Sequence, residues 1–147
     1  MEYDYKDAMK LQNQLCFPLY AAARKVVGLY TPWLNPIGLT YTQYLVFMVL
    51  WGKDEITVGE ICSELKLDNG TLSPLLKKLE KDGFIERVRS KEDDRKVIIF
   101  LTEKGRELQE RAKDVPRNVA SCIALPPEKA QLLYSLLYEL LGKQNNV

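Results

Sequence analysis

The most reactive side chains in this sequence are its three cysteines, Cys16, Cys62 and Cys122. There is no histidine, so a Ser-His-Asp arrangement, a histidine zinc site and a histidine pH switch are all excluded. The cysteines are scattered, odd in number and contain no CxxC pair. That pattern argues against a disulfide framework and a structural zinc site, and for a reducing compartment. No metal and no cofactor is expected. A reactive thiol must be reachable and must have something nearby that stabilises its anion. No lysine or arginine adjoins Cys16, so helix N-terminal dipoles and tyrosine hydroxyls are the remaining stabilisers. Tyr20, Tyr30 and Tyr41 can donate such hydrogen bonds. Tyr20 follows Cys16 by four residues and shares its helical face if Pro18 permits a helix there. Residue types alone leave two readings open: a reactive thiol ringed by phenols, or a small buried hydrophobe among core aromatics. Cys62, between Ile61 and Leu65, reads as structural. Cys122 falls near a helix end, just before Pro126.

A second constellation is polar and basic. Leu72, Leu75, Leu76 and Leu79 form a helical stripe at i, i+3, i+4 and i+7. That stripe turns Asn69, Thr71 and Ser73 outward near the start of the helix and Lys77 and Lys78 outward further on. Small hydroxyl and amide groups at a helix N-terminus can approach base edges and phosphates closely. Lysines add a sequence-independent attraction to phosphate. Arg95 lies in a charged run between two expected strands, where it could enter a minor groove. The competing reading is a plain solvated surface, because residues 77–96 carry eight basic and six acidic side chains.

The elements that position these groups follow from pattern. The chain has 147 residues, is 46% hydrophobic and 28% charged, and carries a net charge of +1. These values suit one globular domain with room for a small second unit, and exclude a disordered or wholly basic chain. No apolar run is long enough for a membrane span. The polar, acidic start (Met1, Glu2, Tyr3, Asp4) reads against a signal peptide. Residues 7–30 read as a helix that kinks at Pro18 or begins near it. Thr31-Pro32 and Asn35-Pro36 with Gly38 mark a break. Thr40 and Gln43, and then Thr57 and Glu60, have capping-box spacing ahead of two helices. Residues 67–70 read as a turn before the leucine-striped helix, which Gly83 ends. Residues 84–89 and 96–101 read as strands joined by the charged tip, and Thr102 reads as the cap of a further helix that Pro116 kinks or interrupts. The last helix carries Leu132, Leu133, Leu136, Leu137, Leu140 and Leu141 on adjoining faces, more than one small lobe can cover. A symmetric homodimer, with the N-terminal helix as companion, is the simplest closed arrangement.

A short capped helix, a tight turn, a second helix and a charged hairpin make a winged helix-turn-helix pattern. The segment Leu67-Asp68-Asn69-Gly70-Thr71-Leu72-Ser73-Pro74-Leu75-Leu76-Lys77-Lys78-Leu79-Glu80 resembles the recognition-helix region of MarR-family regulators. Asp93-Asp94-Arg95 followed by Leu101-Thr102-Glu103-Lys104-Gly105 resembles the wing signature of that family. Asn13-Gln14-Leu15-Cys16-Phe17, with Tyr20, Tyr30 and Thr40-Tyr41, resembles its organic-hydroperoxide-sensing branch; Pro18 and Asn69 depart from the commoner residues there. The resemblance implies a mainly α chain of the α+β winged-helix class. Residues 1–39 would form an N-terminal dimerisation and sensor region, 40–102 the DNA-binding lobe and 103–147 the C-terminal dimerisation helices. It implies a cytoplasmic, non-enzymatic homodimer that represses transcription from a pseudo-palindromic double-stranded DNA operator. Thr71, Ser73 and Lys77 would lie against the major groove or its phosphates, and Asp93 would hold Arg95 for the minor groove. Asn69 and Lys78 are further DNA-binding candidates from the polar face of the same helix. Cys16 would be the redox sensor, with Tyr30 and Tyr41 approaching it across the dimer, and Cys122 of the other subunit would resolve its oxidised form. The apolar neighbours Leu15, Phe17 and Leu19 suit an organic hydroperoxide better than hydrogen peroxide as the oxidant. Other readings predict different behaviour. A repressor released by a small aromatic ligand, held by Tyr20, Tyr30, Trp33, Tyr41 and Tyr44, would respond without Cys16. A thiol peroxidase using Cys16 would turn over with a reductant, and a bare interaction module would not bind DNA.

Overall fold

The computed structural model describes residues 3–142, so Met1 and Glu2 of the acidic start lie outside the described residues. The N-terminal segment is not one helix. A short α1 (Tyr5–Ala8) is capped by Asp4, whose carboxylate accepts from the amides of Lys6 at 3.0 Å and Asp7 at 3.2 Å. A 3-10 turn (Leu11–Asn13) follows, and the long α2 (Cys16–Leu34) starts at Cys16. The helix thus begins near Pro18, as one of the two expectations had it, and only its expected end at residue 30 is corrected, to Leu34. Pro18 is the third residue of α2, where a missing N–H removes no intrahelical bond. The break expected at Thr31-Pro32 does not occur, because α2 runs through Pro32 to Leu34. Pro32 sits in the last turn, so it deprives a single carbonyl, that of Gly28, of its helical partner. The break expected at Asn35-Pro36 with Gly38 does form: the chain turns at the 3-10 segment Asn35–Ile37, which ends on Gly38 with φ of +74°.

Local hydrogen bonds set the next starts. In α3 (Tyr41–Gly52) and α4 (Val58–Leu65) both expected capping boxes form, Thr40 with Gln43 and Thr57 with Glu60. The turn expected over 67–70 is shorter than predicted. Asp68 accepts the Thr71 amide at 2.6 Å, which makes Asn69 and Gly70 the first residues of α5 (Asn69–Lys81). At its other end the Phe84 amide reaches back to the Leu79 carbonyl at 3.0 Å across Gly83, whose φ is +81°.

Three antiparallel strands follow the order β1-β3-β2, with β1 at Ile56–Thr57, β2 at Ile85–Arg89 and β3 at Val97–Leu101. Ile85 pairs with Leu101, Arg89 with Val97, and Ile56 with Ile99. The expected strands each lose one residue, Phe84 and Lys96, and β1 was not expected at all. Next come α6 (Glu103–Ala112), capped by Thr102, α7 (Val115–Cys122) and α8 (Pro127–Leu140). Pro116 lies in the first turn of α7 and so interrupts the helical run, as expected.

One core joins these elements. Phe47 and Leu50 of α3, Ile61 of α4, the Leu72, Leu76 and Leu79 stripe of α5, Ile85 and Ile99 of the sheet, and Leu108 of α6 are all buried. Two polar ties cross it. Asp54 accepts the Leu101 amide at 2.9 Å and faces Arg106 at 3.5 Å. Trp51 Nε1 donates to the Gly105 carbonyl at 3.0 Å. Gly105 must be glycine, because a Cβ there would overlap the Phe84 carbonyl oxygen. In contrast, Leu11, Leu15, Phe17 and Leu19 near the start and Leu132, Leu133, Leu136, Leu140 and Leu141 near the end are exposed.

Candidate nucleic-acid interface and thiol site

The outer face of α5 is set by its cap. Accepting the Thr71 backbone and side chain holds the Asp68 carboxyl below the usual carboxylate range, so it remains a charged cap. Asn69 and Thr71 are exposed in the first turn and Ser73 is half-buried. Ser73 Oγ donates to Asn69 Oδ1 at 3.0 Å, which leaves the amide hydrogens of Asn69 for an incoming acceptor. Lys78 pairs with Asp82 at 3.1 Å, whereas the exposed Lys77 has no acidic partner among the described residues.

At the wing tip, Asp93 Oδ1 accepts the Arg95 amide at 3.1 Å and lies 3.9 Å from the Arg95 guanidinium, whose side chain is 95% exposed. Ser90 Oγ accepts the Glu92 and Asp93 amides at 3.2 and 3.4 Å and so shapes the turn that carries this pair. Between α5 and the wing lies a cleft of about 480 Å³, lined by Asn69, Ser73, Arg87, Arg95 and Lys96, with Cys62 half-buried in its wall. Cys62 also packs on the core, in keeping with a structural part. Arg87 and Lys96 were not singled out from sequence. Arg87 Nε donates to Glu80 Oε2 at 2.8 Å, and its amide reaches Oε1 of the same carboxylate at 3.3 Å. This clamp joins the end of α5 to β2, and nothing in the seven-residue spacing announces it.

Cys16 is the first residue of α2 and is exposed. Its N-cap, Leu15, supplies no side-chain hydrogen bond, so the positive end of the helix dipole is uncapped there. Tyr20 is exposed, one turn on, with the Arg24 guanidinium 5.5 Å from its ring centroid. Further along, the rings of Tyr30 and Tyr41 lie 4.6 Å apart and those of Tyr30 and Tyr44 5.9 Å apart. Burial pushes all three phenols above their ordinary value, and mutual repulsion adds to this for Tyr41 and Tyr44. They therefore stay protonated and keep a hydroxyl hydrogen to donate. A small cleft of about 230 Å³ opens beside Tyr30 and Tyr41, lined also by Val27 and Thr40. Cys16 precedes Tyr30 by fourteen residues of one helix, an axial distance of about 21 Å. Within one chain the structure gathers Tyr30, Tyr41 and Tyr44 but keeps Cys16 away from them. Tyr20 and Trp33 stay outside this group of tilted rings, so the five aromatics considered for a ligand pocket do not form one cluster among the described residues. Cys122 closes α7, exposed, with Sγ donating to the Asn118 carbonyl at 3.4 Å. Helix α7 packs against α2.

The SarA/Rot family of transcriptional regulators matches residues 28–112. The organic hydroperoxide resistance transcriptional regulator of Bacillus subtilis is 45% identical over 135 residues, 92% of this chain and 92% of that protein. The chain belongs to the organic-hydroperoxide branch of the MarR-family transcriptional regulators. Solved relatives of this MarR-family chain share its winged-helix fold. Reduced AbfR bound to DNA superposes with a TM-score of 0.75 at 36% identity, covering 95% of this chain and 97% of that one. Disulfide-formed AbfR superposes with a TM-score of 0.64 at 36% identity, covering 93% and 96%. Among the described residues, no helix is long and apolar enough to cross a membrane, and no group of three or more His, Cys, Asp or Glu could hold a metal ion.

Proposed function

We propose that this MarR-family regulator is a cytoplasmic homodimeric repressor that grips a pseudo-palindromic double-stranded DNA operator and releases it when an organic hydroperoxide oxidises Cys16. The observation that carries the reading is the placement of α2. One end of that helix presents an exposed thiol at an uncapped positive terminus, and the other end packs through Tyr30 on the lobe that bears α5 and the wing. Residues 40–102 form the DNA-binding lobe. Asn69, Thr71, Ser73 and Lys77 face the major groove and its phosphates, Lys78 adds charge, and Asp93 steadies Arg95 for the minor groove. The described parts of residues 1–39 and 103–147 supply the apolar surface that a second copy covers, residues 143–147 lying outside the described residues.

The chemistry follows the cysteine oxidation ladder. The Cys16 thiolate attacks one peroxide oxygen, the O–O bond breaks, and the alcohol leaves with a proton. The sulfur becomes a sulfenic acid. Cys122 of the partner subunit, or a small cellular thiol, then condenses with it, losing water and forming a disulfide. A disulfide needs Cα atoms within about 7 Å, so closure draws α7 and α2 of opposite subunits together. Operator half-sites lie about one helical turn apart, and a modest change in the spacing of the two α5 helices loses their register. The reading is of a single-turnover sensor rather than an enzyme. The closer superposition on DNA-bound reduced AbfR than on the disulfide form supports assigning this conformation to the DNA-binding state.

The test is to titrate the reduced protein with cumene hydroperoxide while following operator binding by fluorescence anisotropy. Release is expected for the parent and retention for Cys16→Ser. Release that persists in Cys16→Ser, or no release at all, overturns the reading. Cys122→Ser is expected to abolish a peroxide-induced crosslinked dimer on non-reducing gels.

A further inference from the structure

Helix α3 is apolar at every position from Tyr44 to Trp51. The core accounts for only part of that run: Tyr44, Val46, Phe47 and Leu50 are buried, while Leu45 and Val49 are half-buried and Met48 is 42% exposed. A helix apolar all round is normally covered all round. The uncovered side of α3 forms one wall of a cleft of about 480 Å³, with Leu45, Met48, Val49, Ile56 and Leu65 as its apolar lining. That volume lies in the range that encloses small organic ligands, about 300 to 1,000 Å³.

The opposite rim belongs to α4 and is anionic. Glu60 and Glu64 stand one turn apart and both line the cleft. The one cation of the lining is Lys53, which meets Glu60 in a loose pair at 3.5 Å with both side chains well exposed. Glu64 has no basic partner among the described residues. Hydrogen bonds from the Thr57 amide and hydroxyl hold the Glu60 carboxyl below the usual carboxylate range, so it remains charged. The rim thus carries one carboxylate more than its cations balance, over an apolar floor that includes a flexible methionine. This side of α4 is not the side that carries Cys62 toward the wing cleft.

We propose that the α3–α4 cleft binds a lipophilic organic monocation, with its apolar body against Met48, Val49 and Leu65 and its charge at Glu64. The inference stands without the redox reading, because Cys16, the tyrosine cluster and the outer face of α5 take no part in it. Apolar contact supplies affinity, and the unbalanced carboxylate selects the sign of charge.

Tetraphenylphosphonium and tetraphenylborate serve as probes, being nearly equal in shape and opposite in charge. Each is titrated into the reduced, full-length protein by calorimetry, with amide chemical shifts mapped in parallel. Saturable binding of the phosphonium, with shifts confined to residues 45–65 and no matching response to the borate, is expected. Glu64→Gln, an isosteric change at an exposed site, should weaken the phosphonium by about fivefold, the worth of one partly exposed ion pair. Met48→Lys, which places a like charge in the cleft, should abolish the response. Equal binding of both ions, shifts centred elsewhere, or no binding at millimolar concentration overturns the proposal. So does a concentration-dependent shift of residues 45–65 in the absence of either ion, which would mean that a second copy of the chain covers the cleft.

Discussion

The strongest test of the proposed sensor concerns which subunit completes each thiol site. Cys16 and Tyr30 lie on the same helix, about 21 Å apart along its axis. A thiol and a phenol cannot span that distance within one chain, so the proposed sensor requires Tyr30, with Tyr41 tilted against it at 4.6 Å, to serve the Cys16 of the opposite subunit. A hydrogen bond to a charged acceptor contributes about 1.5–3 kcal/mol. Losing one such bond from Tyr30 slows the reaction of Cys16 with an organic hydroperoxide by about tenfold or more. Two mixed dimers separate the geometries. In the first, one chain carries Cys16→Ser and the other Tyr30→Phe. Its surviving Cys16 meets an intact Tyr30 if the site forms between subunits, and a phenylalanine if it forms within one chain. In the second, both substitutions sit on one chain opposite an unaltered partner, and the expectations reverse. Stopped-flow oxidation of differently tagged, purified mixed dimers gives the rates. The first dimer should react at the rate of an unmodified site and the second about tenfold more slowly. Equal slow rates in the first dimer and the Tyr30→Phe homodimer would refute the argument from helix length.

Other expectations follow from single contacts. Gly105→Ala should lower stability by about 3 kcal/mol in urea denaturation, because its Cβ meets a backbone oxygen that cannot move aside, that of Phe84; a change below about 0.5 kcal/mol would remove the packing account. The Asp68 cap has a lowered folded value, so its stabilisation is complete above its ordinary value of 3.8 and is lost as the pH falls through the folded value. Asp68→Asn keeps a capping side chain without the titration, so its stability should vary less with pH below about 4 than that of the parent, as read by thermal melts across a pH series. Arg95→Ala should weaken operator binding and lower the slope of log affinity against log salt by about 0.9, the signature of one lost phosphate-region contact. An unchanged slope measured by anisotropy would place Arg95 off the DNA.

The sequence by itself determined those features whose causes lie within four or five residues. Thr40 with Gln43, and Thr57 with Glu60, form their capping boxes as read, since donor and acceptor belong to one turn. The leucine stripe of α5 and the left-handed Gly83 after it follow from helical period and from backbone freedom at glycine. The motif of the wing and the cysteine-tyrosine spacing sufficed to indicate the family. Contacts distant in sequence were decided by the tertiary structure. β1 is only two residues long and exists because Ile56 finds Ile99, so no local period could reveal it. Pro32 stays helical because it falls in a final turn, and that turn's end is set by the chain reversal through Asn35–Ile37. The gathering of Tyr30, Tyr41 and Tyr44 away from Cys16, the Arg87–Glu80 clamp and the cleft between α3 and α4 all depend on how separate elements dock. Hydrogen bonds within a turn are specified by neighbours along the chain, whereas packing between elements is specified by the shapes of both partners at once, and one-dimensional spacing records only the first.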